Sequence, residues 1–228
     1  MALTGYPFPY DIENLLGGAV RILYADADGG AGDPGVPADL SEVIDMDGGG
    51  YAPVTNWTDL GATRDSFTYT RGFDTEGWEI QQLAGNVIEE ITDLSRTMEI
   101  SFADLRPEHL AMIEGAPAPT TIAAAAGKSA QKKIAFGSFV SLKRYRFAFI
   151  SQRPQAAGLV VQTDAAERGR FFAGVAYSAQ LSADEVEFEQ DKGALTAVGV
   201  TFTMFPEEGE PRGEEYGTYF DEQAGTIA

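Results

Sequence analysis

The sequence predicts a mainly β fold: an antiparallel β-sandwich or barrel with one short flanking α-helix, a long loop and extended terminal arms. Three observations predict it. Short apolar–polar alternations of period two recur between residues 18 and 204, the pattern of half-buried strands. Gly, Pro, Asp and Asn, the residues that turns use, separate them. Helical spacing is confined to one stretch, 104–115.

The elements follow in order. Residues 1–16 carry Pro7 and Pro9 among aromatics. Proline fixes φ and removes a donor, so this stretch reads as an extended arm. An arm this short cannot bury Tyr6, Phe8 and Tyr10 against itself, which predicts that they contact a neighbouring subunit. A single β domain is expected over 17–205. Its first strand is "GAVRILYA", 18–25, with Val20, Ile22 and Tyr24 on one face. Gly, Pro and Asp then dominate 26–53, which excludes a regular element apart from a short helical turn at 39–44. A loop this long inside a compact domain is usually functional.

From Trp57 the pattern is β. "SFTYT", 66–70, alternates. "WEIQQL" and "VIEEI" read as two short strands joined at Ala84, Gly85 and Asn86. "SRTMEISFA", 95–103, reads as a further strand, with Met98, Ile100 and Phe102 opposite Thr97, Glu99 and Ser101. In the helix, Asp104 is the expected cap and Pro107 suits the first turn. Leu110 and Ile113 share a face, and Gly115 ends it. After an Ala/Pro/Thr stretch at 116–127, strands are expected at 132–137, 139–150, 170–181, 185–190 and 194–204. Tyr145, Phe147 and Phe149 alternate with Arg144, Arg146 and Ala148; Val198, Val200, Phe202 and Met204 alternate with Gly199, Thr201 and Thr203. Residues 206–228 are acidic and aperiodic, an expected tail.

The chain has 228 residues, enough for one large β domain or two small ones. It has no cysteine, which excludes a disulfide scaffold, a thiolate metal site and a cysteine nucleophile. Its formal net charge is −19, from 35 acidic and 16 basic residues. So acidic a surface disfavours phosphate contacts and anionic membranes, but suits a surface that nucleic acid must pass without sticking. No apolar run approaches the roughly 20 residues of a membrane span. The N-terminal stretch has neither the basic region nor the apolar core of a signal peptide.

Catalytic and metal patterns are weak. "DADGGAGD", 26–33, fails as an EF-hand loop: position six from Asp26 is Ala31 and position twelve is Pro37, where glycine and glutamate are needed. It reads as a turn-rich loop. The only histidine, His109, has no nucleophile elbow near it and reads as a helix-surface residue. Adjacent Glu89 and Glu90 point to opposite faces of a strand and cannot flank one bond. "GKSAQKK", 127–133, lacks phosphate-loop spacing and reads as a solvated loop or a contact with an acidic neighbour. In "KRYRF", 143–147, Lys143, Arg144 and Arg146 are expected to pair with carboxylates, including those of another copy. No cofactor, metal or enzymatic activity is expected.

The block from Trp57 to Gly115 resembles the major tail tube proteins of long-tailed, non-contractile bacteriophages. The resemblance lies in Trp57 with Leu60–Gly61, then Gln82, Gly85, Val87, Glu90 and Thr92. Met98 to Phe102 and Leu105 to Leu110 continue it, with "TFTMFP" at 201–206. It implies a β-sandwich whose copies close as homo-hexameric rings and stack into a tube through the long loop and terminal arms. It also implies a virion protein, made in the host cytoplasm, that meets tail tip, tape-measure and tail terminator proteins. DNA would pass the lumen without specific binding, and no membrane is involved. On this reading Glu79, Glu89 and Glu90 are the candidates to face the lumen; the alternative is the outer face, where they serve solubility. Tyr6, Phe8, Tyr10, Asp26, Asp28, Asp33, Lys143, Arg144 and Arg146 lie at contacts between copies. The alternative is an acidic calcium-dependent β-sandwich that binds carbohydrate or a host surface through carboxylates of the 26–50 loop.

Overall fold

The computed structural model describes residues 20–45, 52–63, 67–79, 86–135, 137, 142–152, 171–182, 186 and 197–221. Side chains of 77–79, 86–90, 92, 152 and 171 lie outside that description. The strands are β1 (Val20–Asp26), β2 (Thr58–Asp59), β3 (Thr68–Glu79), β4 (Asn86–Phe102), β5 (Thr120–Ile122), β6 (Gln131–Lys133), β7 (Arg144–Gln152), β8 (Phe171–Leu181), β9 (Val198–Met204) and β10 (Gly217–Asp221). One α-helix, α1 (Pro107–Ile113), lies among the described residues. The fold is mainly β and antiparallel, consistent with a sandwich, and the strand path does not close into a barrel. The described chain forms two compact units. One takes residues up to Gly61, Lys143–Ser178 and the chain from Pro206; the other takes Ala62–Leu142 and Ala179–Phe205.

In the first unit β1 lies between β2 and β7, with Leu23 opposite both Asp59 and Ala148. The expected inward face, Val20, Ile22 and Tyr24, is corrected. The core cluster takes Leu23 and Ala25, Ile22 is buried as well, and Val20 is exposed. A strand covered on both sides carries a continuous apolar run, so period two does not identify its buried face. Leu23 and Ala25 pack with Ala148, Ile150, Val175 and Tyr177 from neighbouring strands. The long loop completes this core. A 3-10 turn at Leu40–Glu42 falls inside the expected 39–44, capped by Asp39, whose carboxylate accepts from the Ser41 amide at 2.7 Å. That turn drives Leu40, Val43 and Ile44 inward beside Trp57. The expected tail also holds an element: β10 pairs with β8, Gly217 opposite Ala176 and Asp221 opposite Phe172.

In the second unit β4 is one continuous strand of 17 residues, where two shorter strands were expected. A β-bulge makes the continuity possible. Asp93 stands opposite Asp74 and Ile91 opposite Thr75, so Thr92 is the extra residue. Of the expected joining turn, Ala84 and Gly85 lie outside the described residues, and Asn86 begins β4. The inner end of β4 pairs with β9, Thr97 opposite Thr203 through Phe102 opposite Val198. Here the alternation reads true: Met98, Ile100 and Phe102 are buried, as are Val198, Val200, Phe202 and Met204. β5 and β6 form a separate exposed pair; β5 falls in the stretch read as irregular. The strand expected at 185–190 falls outside the described residues, apart from Val186.

Helix α1 begins with Pro107, as expected, but its cap differs. The capping position is Arg106, which makes no side-chain cap bond, and the Asp104 carboxylate accepts from Arg106 Nε at 2.8 Å. Gly115 has φ +58°, a conformation that favours glycine and helps end the helix. His109 is corrected from surface to core. It is 1% exposed, its Nδ1–H donates to the Asp104 carbonyl at 2.5 Å, and its ring lies 5.3 Å from that of Phe102. Burial holds its pKa below the ordinary 6.5, although the Asp104 carbonyl works the other way. A neutral imidazole in a packed core is a structural group.

Candidate self-assembly surface

The longest strands described, β3 and β4, pair with each other. β9 covers only the inner end of β4, from Thr97. Beyond it, β3 pairs with β4 alone among the described residues. A two-stranded ribbon therefore runs outward from the sheet. With 12 residues, β3 spans roughly 40 Å at about 3.4 Å per residue. Such a ribbon is marginal in water on its own, and its outer edge offers unpaired amides and carbonyls to another strand.

Its two faces differ. Directly opposed residues share a face, so Tyr69/Met98, Arg71/Arg96, Phe73/Leu94 and Thr75/Ile91 lie on one side. Met98 belongs to the buried core. Farther out the same face loses its cover: Phe73 is 58% exposed and Ile91 59% exposed. The other side carries Thr68/Glu99, Thr70/Thr97, Gly72/Ser95 and Asp74/Asp93. Glu99, Asp74, Asp93 and Glu76 are all exposed. A face of exposed apolar residues and two arginines thus backs an acidic one along the same ribbon.

The ribbon contains the three glutamates chosen from sequence. Glu79 stands opposite Asn86, Glu89 opposite Gly77 and Glu90 opposite Glu76 in backbone register. Their side chains lie outside the described residues. Asp74, Glu76, Asp93 and Glu99 were missed as site residues, though alternation outward from buried Met98 would have marked Glu99. Tyr6, Phe8 and Tyr10 lie outside the described residues.

The acidic loop and the basic strand meet in the first unit. Arg146 is 2% exposed. Its Nε donates to Asp33 Oδ1 at 2.8 Å and Nη2 to Asp33 Oδ2 at 3.3 Å. Nη2 also reaches Glu207 Oε1 at 2.8 Å, and Nη1 donates to the Tyr177 carbonyl at 2.8 Å. The carboxylates expected from another copy therefore come, for Arg146, from its own chain. A guanidinium this buried is no surface contact, and Asp33 is held with it. Burial alone would raise the Asp33 pKa. The Arg146 hydrogen bond, the Gly35 amide and the Arg146 charge outweigh it and hold the carboxyl below 3.8. Burial opposes the Arg146 charge as well, and its two carboxylate partners reverse the balance, raising its pKa.

The remaining candidates are more exposed. The Arg144 amide donates to Asp28 Oδ1 at 3.3 Å, and the Ala27 amide to the Arg144 carbonyl at 3.0 Å. Asp26 stands opposite Tyr145, whose hydroxyl pKa is raised by burial and then by the Asp26 charge. Lys143 is exposed. Lys132, from the lysine-rich loop, forms an ion pair with Glu108 of α1. The loop's own chemistry bears on calcium: Asp33 is occupied by Arg146, Asp39 by Ser41, and Glu42 accepts from the Ala38 amide at 2.7 Å. No group of three His, Cys, Asp or Glu is placed to hold a metal among the described residues.

No protein-family model matches the chain, and no curated protein matches it.

Proposed function

We propose that this chain is a self-assembling structural subunit of a bacteriophage tail tube. Six copies close into a ring, rings stack into a tube, and DNA passes through an acidic bore during ejection. The observation that supports this reading best is the β3–β4 ribbon. It is long, open along the outer edge of β3, apolar at Phe73 and Ile91, and acidic on its other face. An edge of this kind favours aggregation unless a neighbouring strand covers it. A second copy covers it in a form that repeats, and closure of the ring then removes the free edge. The acidic side fits a wall that phosphate must slide past, since a net charge of −19 repels DNA within about a Debye length, roughly 8 Å at physiological salt.

On this reading the protein belongs to the virion, is made in the host cytoplasm and has no enzymatic role. Electron microscopy of the concentrated protein tests it, with and without a tail tip complex as template. Six-fold rings or tubes are expected. A monomer under every condition would overturn the proposal.

A further inference from the structure

Arg146 is a single buried cation shared by two carboxylates from distant parts of the chain, and the two hold it unequally. Asp33 grips it with both oxygens, is 9% exposed, and also accepts from the Gly29 and Gly35 amides at 3.0 and 2.8 Å. Glu207 contributes one oxygen and is 21% exposed. Removing the last counter-charge from a buried ion is strongly destabilising because the ion is left uncompensated; removing one of two leaves it paired. The C-terminal segment can therefore let go without stranding Arg146. The loop holding Asp33 has no such freedom once Glu207 has left.

The rest of the attachment includes the five-residue β10 ladder, the Tyr177 amide on the Tyr216 carbonyl at 3.1 Å, a side-chain hydrogen bond between Tyr177 and Thr218, the Tyr219 ring 6.1 Å from that of Phe149, and Phe220 against the core cluster. Tyr219 stacks on Phe172 with centroids 5.5 Å apart, yet it is 56% exposed. Of the sixteen residues Pro206–Asp221, six are acidic and one is basic, in a chain already at −19. Like charge favours departure.

We propose that Pro206–Asp221 is a detachable strap that leaves β8 while Arg146 stays paired with Asp33, and that the bared β8 edge at Phe172–Ala176 takes the same strap from a second copy. The occupant follows from the register. The edge already matches this segment residue by residue, and an identical strap re-forms every contact, the Glu207 bond to Arg146 included. The inference rests on the first unit alone and is independent of the tail tube reading.

Two measurements on the full-length protein test it. Hydrogen exchange is followed in wild type and in Glu207→Gln. The substitution is expected to raise exchange over 206–221 by about tenfold, the loss of one charge-assisted hydrogen bond, and to leave 27–38 unchanged. An equal rise in both segments, or in neither, overturns detachment. The absence of cysteine allows the second test. Asp221→Cys and Phe172→Cys, directly opposed within one chain, are prepared as separate proteins and mixed with oxidised glutathione. A mixed disulfide above the level given by Asp45→Cys in place of Phe172→Cys supports exchange. No excess over that control overturns it.

Discussion

Arg146 ties β7 to Asp33, Glu207 and the Tyr177 carbonyl within the first unit. Replacing it with Met leaves Asp33 and Glu207 facing each other without a cation, which is expected to cost about 3–5 kcal/mol in urea unfolding. Acid should act through the same group. Asp33 has a folded pKa below the unfolded 3.8, so its stabilisation is complete above 3.8 and is lost as pH falls through the depressed value. Stability measured against pH should decline in that window, and Asp33→Asn should flatten the decline. Gly174 gives a steric test. A Cβ there would lie 2.0 Å from Phe149 Cζ, so the half-buried ring must shift. Gly174→Ala is expected to cost about 1–3 kcal/mol, read from the shift in thermal midpoint. Sequence alone could say that Arg146 needs carboxylates in so acidic a chain. It could not say which, because Asp33 lies 113 positions away and only the β1–β7 pairing brings it near. His109 was within reach: 109, 112 and 113 share a helix face, and Met112 and Ile113 are apolar.

At the scale of elements, the ribbon makes the sharpest prediction. Phe73→Ser with Ile91→Ser removes apolar surface that the described fold leaves exposed. The variant should unfold at the wild-type urea concentration yet assemble far more weakly by sedimentation. Loss of the fold instead would mean that these side chains belong to a core. The strands of the second unit were legible where one face is wet and one dry, as in 98–102 and 198–204. In the first unit β1 and β7 fall where strands were expected, at 18–25 and 139–150, but their buried sides were not legible because the wet–dry contrast fails. β1 and β7 bury consecutive residues, so Arg146 and Ala148 lie inward along with Tyr145 and Phe147. The 26–53 loop was read as irregular with a short helical turn at 39–44, and its described part holds a 3-10 turn at Leu40–Glu42. Its contribution of Leu40, Val43 and Ile44 to the core was hidden by the Gly, Pro and Asp around them. β10 was hidden because a five-residue edge strand with mixed burial carries too little pattern to separate from an acidic tail.

For the whole molecule, the proposed association has to work against charge. Copies each at −19 repel one another before any ribbon meets its partner. Assembly followed by light scattering should therefore accelerate between about 0.1 and 1 M salt, as the Debye length falls from about 10 to about 3 Å. A rate that salt leaves unchanged would show that the acidic surfaces face away from the growing contact.

The spare residue at Thr92 sets how this hairpin tolerates editing. Because Asp93 and Ile91 already oppose Asp74 and Thr75, striking out Thr92 closes the gap and leaves every neighbour on its present side, at the expense of a local kink. Adding a residue between Thr92 and the second register shift, at Trp78/Glu79, has the opposite effect: each position between them swaps its oily side for its charged one. The hairpin is accordingly easier to shorten by one than to lengthen by one.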